Sequence, residues 1–278
     1  MRIGVDAGGT WLRLGAWDGR ELTCFERMDA ARTPAELAGA IKDYILRRGL
    51  RPDSVAVGVP GTLDETRRAV LNTPNLDLGG TSLADYLEAE LSLPAALDND
   101  VNAMLRGDIA VLRRGERGLA LGLYVGTGLG GAIFLDGRPL PTKSGVCEPG
   151  HMPIPGRSDP CPCGGTGCAE NYVSGRRLVA IRDEFFPGED VGGLYARHAE
   201  HPALARFFDD TACVAAAAAT LLGPDLLVLG GGALAELPRE ELAAAIRAKC
   251  MRPAPAETLE IAFSGGEPWL GVLGAALM

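Results

Sequence analysis

The sequence has no apolar run long enough to cross a bilayer. The longest, Ala212 to Leu222, covers about half of the roughly 20 residues that a membrane helix needs. Basic residues form no run longer than pairs such as Arg47-Arg48 and Arg113-Arg114, and 27 Lys and Arg against 36 Asp and Glu leave a net charge of -9. That balance repels a phosphate backbone and excludes nucleic acid as a non-specific partner. No charged, apolar leader is expected either, since Met1-Arg2-Ile3-Gly4 passes straight into a strand pattern. A soluble, cytoplasmic protein is expected. A disulfide framework is also missing. The cysteines are odd in number (Cys24, Cys147, Cys161, Cys163, Cys168, Cys213 and Cys250), and a chain of 278 residues buries roughly 70 to 75% of its unfolded surface without covalent staples. Three of the seven lie within eight positions, which in a reducing compartment points to a metal.

What is present reads as alternating strands and helices, an α/β pattern. The chain opens with a strand (Arg2 to Asp6), a glycine turn, a second strand (Trp11 to Trp17), an Asp18-Gly19 turn and a third strand. Leu37, Ile41, Tyr44 and Ile45 repeat at helical spacing, with Thr33 as N-cap, Pro34 at the first helical position and Gly49 at the end. Further strands are expected at 54–59, 95–97, 226–229 and 259–263, and helices at 82–93, 174–186, 203–222 and from Pro268. An ungapped shift of 118 residues lays Ile3-Gly4-Val5 on Leu121-Gly122-Leu123, Gly8 on Gly126 and Asp18-Gly19-Arg20 on Asp136-Gly137-Arg138. The coincidence of both turns at one offset points to a duplicated fold. Between Asp136 and Gly167, prolines at 149, 153, 155, 160 and 162 rule out a long helix or a central strand and mark an ordered insertion.

Four constellations carry chemistry. The turns Asp6-Ala7-Gly8-Gly9-Thr10 and Gly126-Thr127-Gly128-Leu129-Gly130-Gly131 are suited to cradle anions on converging backbone N–H groups, where a Cβ would keep a phosphate away. Gly126, Gly128 and Gly131 also match the dinucleotide spacing, but that fingerprint must open a helix and a strand pattern follows instead. Gly230-Gly231-Gly232, between a strand and a helix, is placed to take adenine and ribose, and Asp6 would reach Mg²⁺ through water. Asp98-Asn99-Asp100-Val101-Asn102 holds more acids and amides than a helix cap requires. Asp100 is the candidate base for an alcohol being phosphorylated. His151, Cys161, Cys163 and Cys168 supply four soft ligands, a closed tetrahedral shell for structural Zn²⁺, with Cys147 outside the spacing. Glu148 and Glu170 flank that set as acceptors for sugar hydroxyls.

With these residues in view, the chain resembles the ROK family of sugar kinases and sugar-sensing repressors over essentially its whole length. Asp6 to Thr10, Gly58-Val59-Pro60-Gly61, Leu97 to Ala103, Gly126 to Gly131, Glu148 to His151, Cys161 to Glu170 and Gly230 to Gly232 carry the resemblance. It implies an actin-like (ribonuclease H-like) ATPase fold, two duplicated lobes around a cleft, with a zinc-binding insertion. The small lobe is expected at 1–116 with 265–278, and the large lobe at 117–264. The resemblance further implies ATP with Mg²⁺ as donor, bound by Asp6, Gly8, Gly9, Thr10, Gly126, Thr127, Gly128, Gly130, Gly231 and Gly232. Asp100 is the implied base, and Gly61, Asn99, Asp100, Glu148, His151 and Glu170 the implied sugar contacts. His151 would double as a zinc ligand, and a homodimer is the expected assembly. Glu170-Asn171-Tyr172-Val173-Ser174-Gly175-Arg176 looks most like bacterial N-acetylglucosamine kinases, with glucokinases close by. Pro149 and the tail Gly265 to Leu270 depart from the family pattern. The alternative is a non-catalytic, sugar-sensing regulator of the repressor branch, though no helix-turn-helix precedes the first strand.

Overall fold

The computed structural model describes residues 1–73, 76–80, 82–140, 147–235 and 237–278. The chain divides into two compact units. One comprises Met1–Arg114, Glu267–Met278 and a short stretch from Arg138, and the other comprises Gly115–Gly137 and Cys147–Gly266.

The first unit runs β1 (Arg2–Ala7), β2 (Trp11–Trp17), β3 (Leu22–Asp29), α1 (Pro34–Arg48), β4 (Ser54–Val59), β5 (Thr62–Leu63), β6 (Val70–Asn72), α2 (Leu83–Leu91), β7 (Ala95–Asn99) and α3 (Asp100–Leu112). Its sheet has the order β3-β2-β1-β4-β7, with β1, β4 and β7 parallel and β2 and β3 antiparallel additions. α1 begins where the sequence places it. Thr33 and Glu36 form a reciprocal capping box, and Gly49 closes the helix at φ 61°. Leu37, Ala38, Ile41 and Tyr44 then form the buried face of α1, joining Ile3, Val5, Leu12, Leu14, Val55 and Val57 in one apolar core.

The second unit runs β8 (Leu119–Val125), β9 (Leu129–Leu135), α4 (Gly175–Phe185), α5 (Leu194–His198), α6 (Pro202–Leu222), β11 (Leu226–Gly230), α7 (Arg239–Lys249) and β12 (Glu260–Phe263), while β10 (Arg138–Pro139), next after β9 in sequence, falls in the stretch assigned to the first unit. The last helix, α8 (Leu270–Ala276), belongs to the first unit. The second sheet runs β9-β8-β11-β12, with β8, β11 and β12 parallel, which repeats β2-β1-β4-β7. Shifting β2 by 118 residues lands on β9 end to end. The pairing differs by one residue. Ala7 faces Leu12 across the first turn, whereas Val125 faces Leu129 across the second, so the second glycine turn is one residue tighter. A one-residue slip exchanges the faces of a strand. Leu12 is accordingly buried where its counterpart Gly130 is half-buried, and Leu129 is buried where Trp11 is not.

The glycine turn at Gly126–Gly128 leads into a strand antiparallel to β8, so the helix that dinucleotide binding demands is not there. The third strand expected in the second half is represented by the two residues of β10, and 141–146 lie outside the described residues. The five-residue α5 and the β5–β6 pair were not legible, being shorter than the window over which periodicity can be read.

Candidate active site

In the first unit the candidate residues lie near the ends of β1, β4 and β7. Asp98, 1% exposed, sits one residue before the end of β7 and accepts from four donors. These are Arg67 at 3.1 Å, the Asn99 backbone N–H at 2.9 Å, the Asn102 side-chain amide at 2.8 Å and Arg106 at 2.6 Å. Two guanidinium groups and two amides compensate the desolvation of one buried carboxylate. Asn99 caps α3 by accepting the Val101 N–H at 2.9 Å, while its own amide donates to the Gly61 carbonyl at 2.9 Å. Asp100 is thereby fixed as the first residue of α3, half-buried, with its Oδ1 also 2.9 Å from the Val101 nitrogen. Gly61, Asn99 and Asp100 are thus held in one hydrogen-bonded group.

Asp6 lies near the end of β1, and Gly8 opens the turn by donating its N–H to the Trp11 carbonyl at 3.0 Å. Burial pushes the Asp6 carboxyl above the usual range, opposed by Arg13, which donates to it at 2.8 Å. Gly9 and Thr10 complete the turn, Thr10 exposed.

In the second unit the Gly126–Gly128 turn is tied to the start of α4. The Gly175 N–H donates to the Gly126 carbonyl at 2.7 Å, and the Arg176 N–H to the Thr127 carbonyl at 3.3 Å. Glu170 accepts the Leu129 N–H at 3.0 Å, pairs through its other oxygen with Arg176, and fills the space that a Cβ on Gly128 would need. Gly126, Thr127, Gly175 and Arg176 line one part of a cavity of about 540 Å³. Leu178, Val179, Val191, Leu194, Tyr195, Gly232 and Ala233 supply much of the remainder. Gly231 stands beneath it at φ 94°, where a Cβ would lie 2.4 Å from the Val125 carbonyl oxygen, so only glycine lets β11 turn this close to β8. Gly130, half-buried in β9, does not line the cavity.

The insertion is ordered by its own backbone. Cys161 N–H donates to Gly165 O at 2.9 Å, Gly167 N–H to Asp159 O at 2.8 Å, and Pro153 bridges to Cys168. Arg157 stacks 4.3 Å from the Tyr172 ring centroid and pairs with Asp210 of α6, anchoring the knot to the unit. His151 Nδ1 stands 3.7 Å from Cys161 Sγ, Cys163 Sγ stands 3.6 Å from Cys168 Sγ, and the four ligand atoms lie within 4.8 Å of one another. A tetrahedron with zinc–sulfur bonds of about 2.3 Å has edges of about 3.8 Å, so this set fits zinc. Glu148 begins the short turn Pro149–His151, its carboxyl raised by burial, lowered by His151 and raised by Glu170. Pro149 packs its ring on Gly131, and Cys147 lies against the same glycine, which accounts for a thiol that the metal spacing leaves out.

Two groups escaped the sequence reading. Asn102 and Arg106 lie four apart on α3 and could have been grouped on that signal beside the Asp98 that precedes the helix; Arg67 carries no local signal. The cavity walls at Val191 and Tyr195 come from a loop and the short α5, which have no periodicity to read.

The architecture of paired α/β units with glycine turns and a Cys3His insertion defines the class. The chain belongs to the ROK family, whose profile matches residues 2–278. It is 32% identical over 258 residues, 84% of each chain, to an N-acetyl-D-glucosamine kinase of Escherichia coli O157:H7. It superposes with a TM-score of 0.81 and 27% identity on a ROK hexokinase from Thermus thermophilus, over 99% of this chain and 96% of that one. A ROK family glucokinase from Streptomyces griseus, solved with glucose and AMPPNP, gives a TM-score of 0.80 at 27% identity, over 99% of this chain and 97% of that one. The fold is the actin-like, ribonuclease H-like ATPase fold. No helix among the described residues is long and apolar enough to cross a membrane.

Proposed function

We propose that the protein is an ATP-dependent sugar kinase that phosphorylates the 6-hydroxyl of a hexose or N-acetylhexosamine. The observation that carries this reading is the cavity of the second unit, with a glycine turn and an arginine at one part and apolar side chains over the rest. That division suits a phosphate chain and a flat, apolar base. The E. coli relative is an N-acetyl-D-glucosamine kinase, and the S. griseus glucokinase was solved with a nucleotide analogue and glucose, which supports the same reading here.

In this account Gly126, Thr127 and Gly128 receive donor phosphates, Gly231 and Gly232 border the adenosine, and Gly8, Gly9 and Thr10 form the second phosphate turn. Asp6 is the residue suited to hold Mg²⁺. The ion supplies charge neutralisation on the phosphates. Gly61 and Asn99 of the first unit, and Glu148, His151 and Glu170 of the second, are assigned to the sugar, and His151 faces Cys161 through Nδ1, which leaves Nε2 for a hydroxyl. Asp100 orients the 6-hydroxyl and takes its proton as the oxygen attacks the γ-phosphorus and the bond to ADP breaks. Phosphoryl transfer has a loose transition state, so positioning contributes as much as basicity. The Cys3His set is proposed to hold a structural zinc that orders Glu148 and Glu170.

An ADP-release assay across glucose, mannose, fructose, N-acetylglucosamine and N-acetylmannosamine tests the reading and identifies the sugar. Turnover with at least one supports a kinase. Saturable sugar binding with no ADP release from any of them would instead make the chain a sugar-sensing regulator.

A further inference from the structure

The second glycine turn, proposed above to receive phosphate, already holds an anion belonging to the protein. Glu170 Oε2 accepts the Leu129 N–H at 3.0 Å, and a Cβ added to Gly128 would stand 2.1 Å from that same oxygen. The carboxylate therefore presses on the turn at the point where missing side chains open the backbone to an anion. Glu170 Oε1 is paired with Arg176, which lines the cavity beside Thr127 and is its only cationic wall among the described residues. Arg176 is 57% exposed at its side chain and Glu170 18%, so the arginine can exchange partners while the glutamate is held by the turn. Gly175 and Arg176 are fastened through their own N–H groups to the carbonyls of Gly126 and Thr127, so the Arg176 backbone cannot drift from the turn.

We propose that Arg176 is a donor-phosphate ligand and that Glu170 competes with the nucleotide for it and for the turn. The proposal rests on the kinase reading and adds to it a route by which the donor acts on the acceptor site. A nucleotide phosphate draws the guanidinium off Glu170, and the freed carboxylate becomes available to a sugar hydroxyl. The exchange replaces one charge-assisted pair of Arg176 by another, while Glu170 keeps the Leu129 N–H.

Calorimetric titration of the zinc-loaded protein with AMP-PNP and Mg²⁺, without sugar, tests it. Glu170→Gln removes the competitor and is expected to bind AMP-PNP roughly three- to tenfold tighter than the parent, while Arg176→Met binds it roughly tenfold more weakly. In the double variant the gain from Glu170→Gln disappears, because no guanidinium remains to be released. Weaker or unchanged binding by Glu170→Gln overturns the proposal. So does a gain retained in full in the Arg176→Met background, which would make the effect simple charge repulsion. Failure of the parent protein to bind AMP-PNP at all would overturn the kinase reading itself, a result distinct from either.

Discussion

Arg106 of α3 reaches back past the start of its helix to donate through Nη2 to Asp98 of β7 at 2.6 Å, while its Nη1 donates to the Gly274 carbonyl of α8 at 3.1 Å. One side chain thus joins the strand end that precedes Asp100 to the C-terminal helix. Breaking a buried pair strands the remaining charge, which costs about 3–5 kcal/mol. Asp98→Ala is expected to lower stability in urea by that amount, and Arg106→Met to cost more than Arg67→Met, since Arg67 is the more exposed partner. Equal midpoints for Asp98→Ala and the parent would contradict this.

The cavity offers a steric probe. A Cβ on Gly232 meets nothing within 4 Å, so a larger side chain there projects into open space without disturbing the fold. Gly232→Leu is expected to keep the parent melting temperature while raising the KM for ATP roughly tenfold or more, as the base loses its seat. Gly231→Ala, set against Val125 at φ 94°, is expected to lower the melting temperature instead. If both variants behave alike, the cavity is not the nucleotide site.

Elemental analysis of the purified protein is expected to find one zinc per chain. Cys161→Ser or Cys168→Ser should lose the metal and the thermal stability of the second unit, because metal binding free energy is folding free energy in a segment without an apolar core of its own. A metal-free protein with unchanged melting would remove the zinc assignment.

Cys147 should behave differently from the ligand thiols. Burial, and then the neighbouring Glu148, push it up to about 11, leaving about one thiolate in a thousand at pH 8. Since the neutral form is favoured in the fold, its contribution to stability is intact below the ordinary thiol pKa and is lost as pH rises toward 11. Iodoacetamide labelling of Cys147, followed by mass spectrometry, is expected to accelerate about tenfold per pH unit up to pH 10. A plateau near pH 8.5 would be inconsistent with its burial.

Much of this is legible in the sequence, for local reasons. Thr33, Pro34 and Gly49 bound a helix by chemistry within a few residues, and the shift of 118 found β9 because glycine and Asp-Gly turns punctuate both halves alike. The one-residue slip in pairing was not legible, since a turn of three or four residues satisfies the same composition. Asp98 reads in the sequence as one of several acids and amides in excess of a helix cap. Its role as a buried carboxylate with four donors depends on Arg67, 31 positions away in sequence, and on the burial of β7. Glu170 illustrates a further limit. Its position beside the cysteines suggested a sugar contact, but only geometry shows it seated in the glycine turn and paired with Arg176.

We propose that this chain transfers phosphate to a sugar with Asp100 as base. The most direct test is steady-state turnover of Asp100→Asn, measured as ADP release with the best sugar of the panel, beside its melting temperature. An intact fold, little change in the KM for ATP, and a kcat lower by about 10² to 10⁴ are expected. A variant that folds and turns over at close to the parent rate would contradict it.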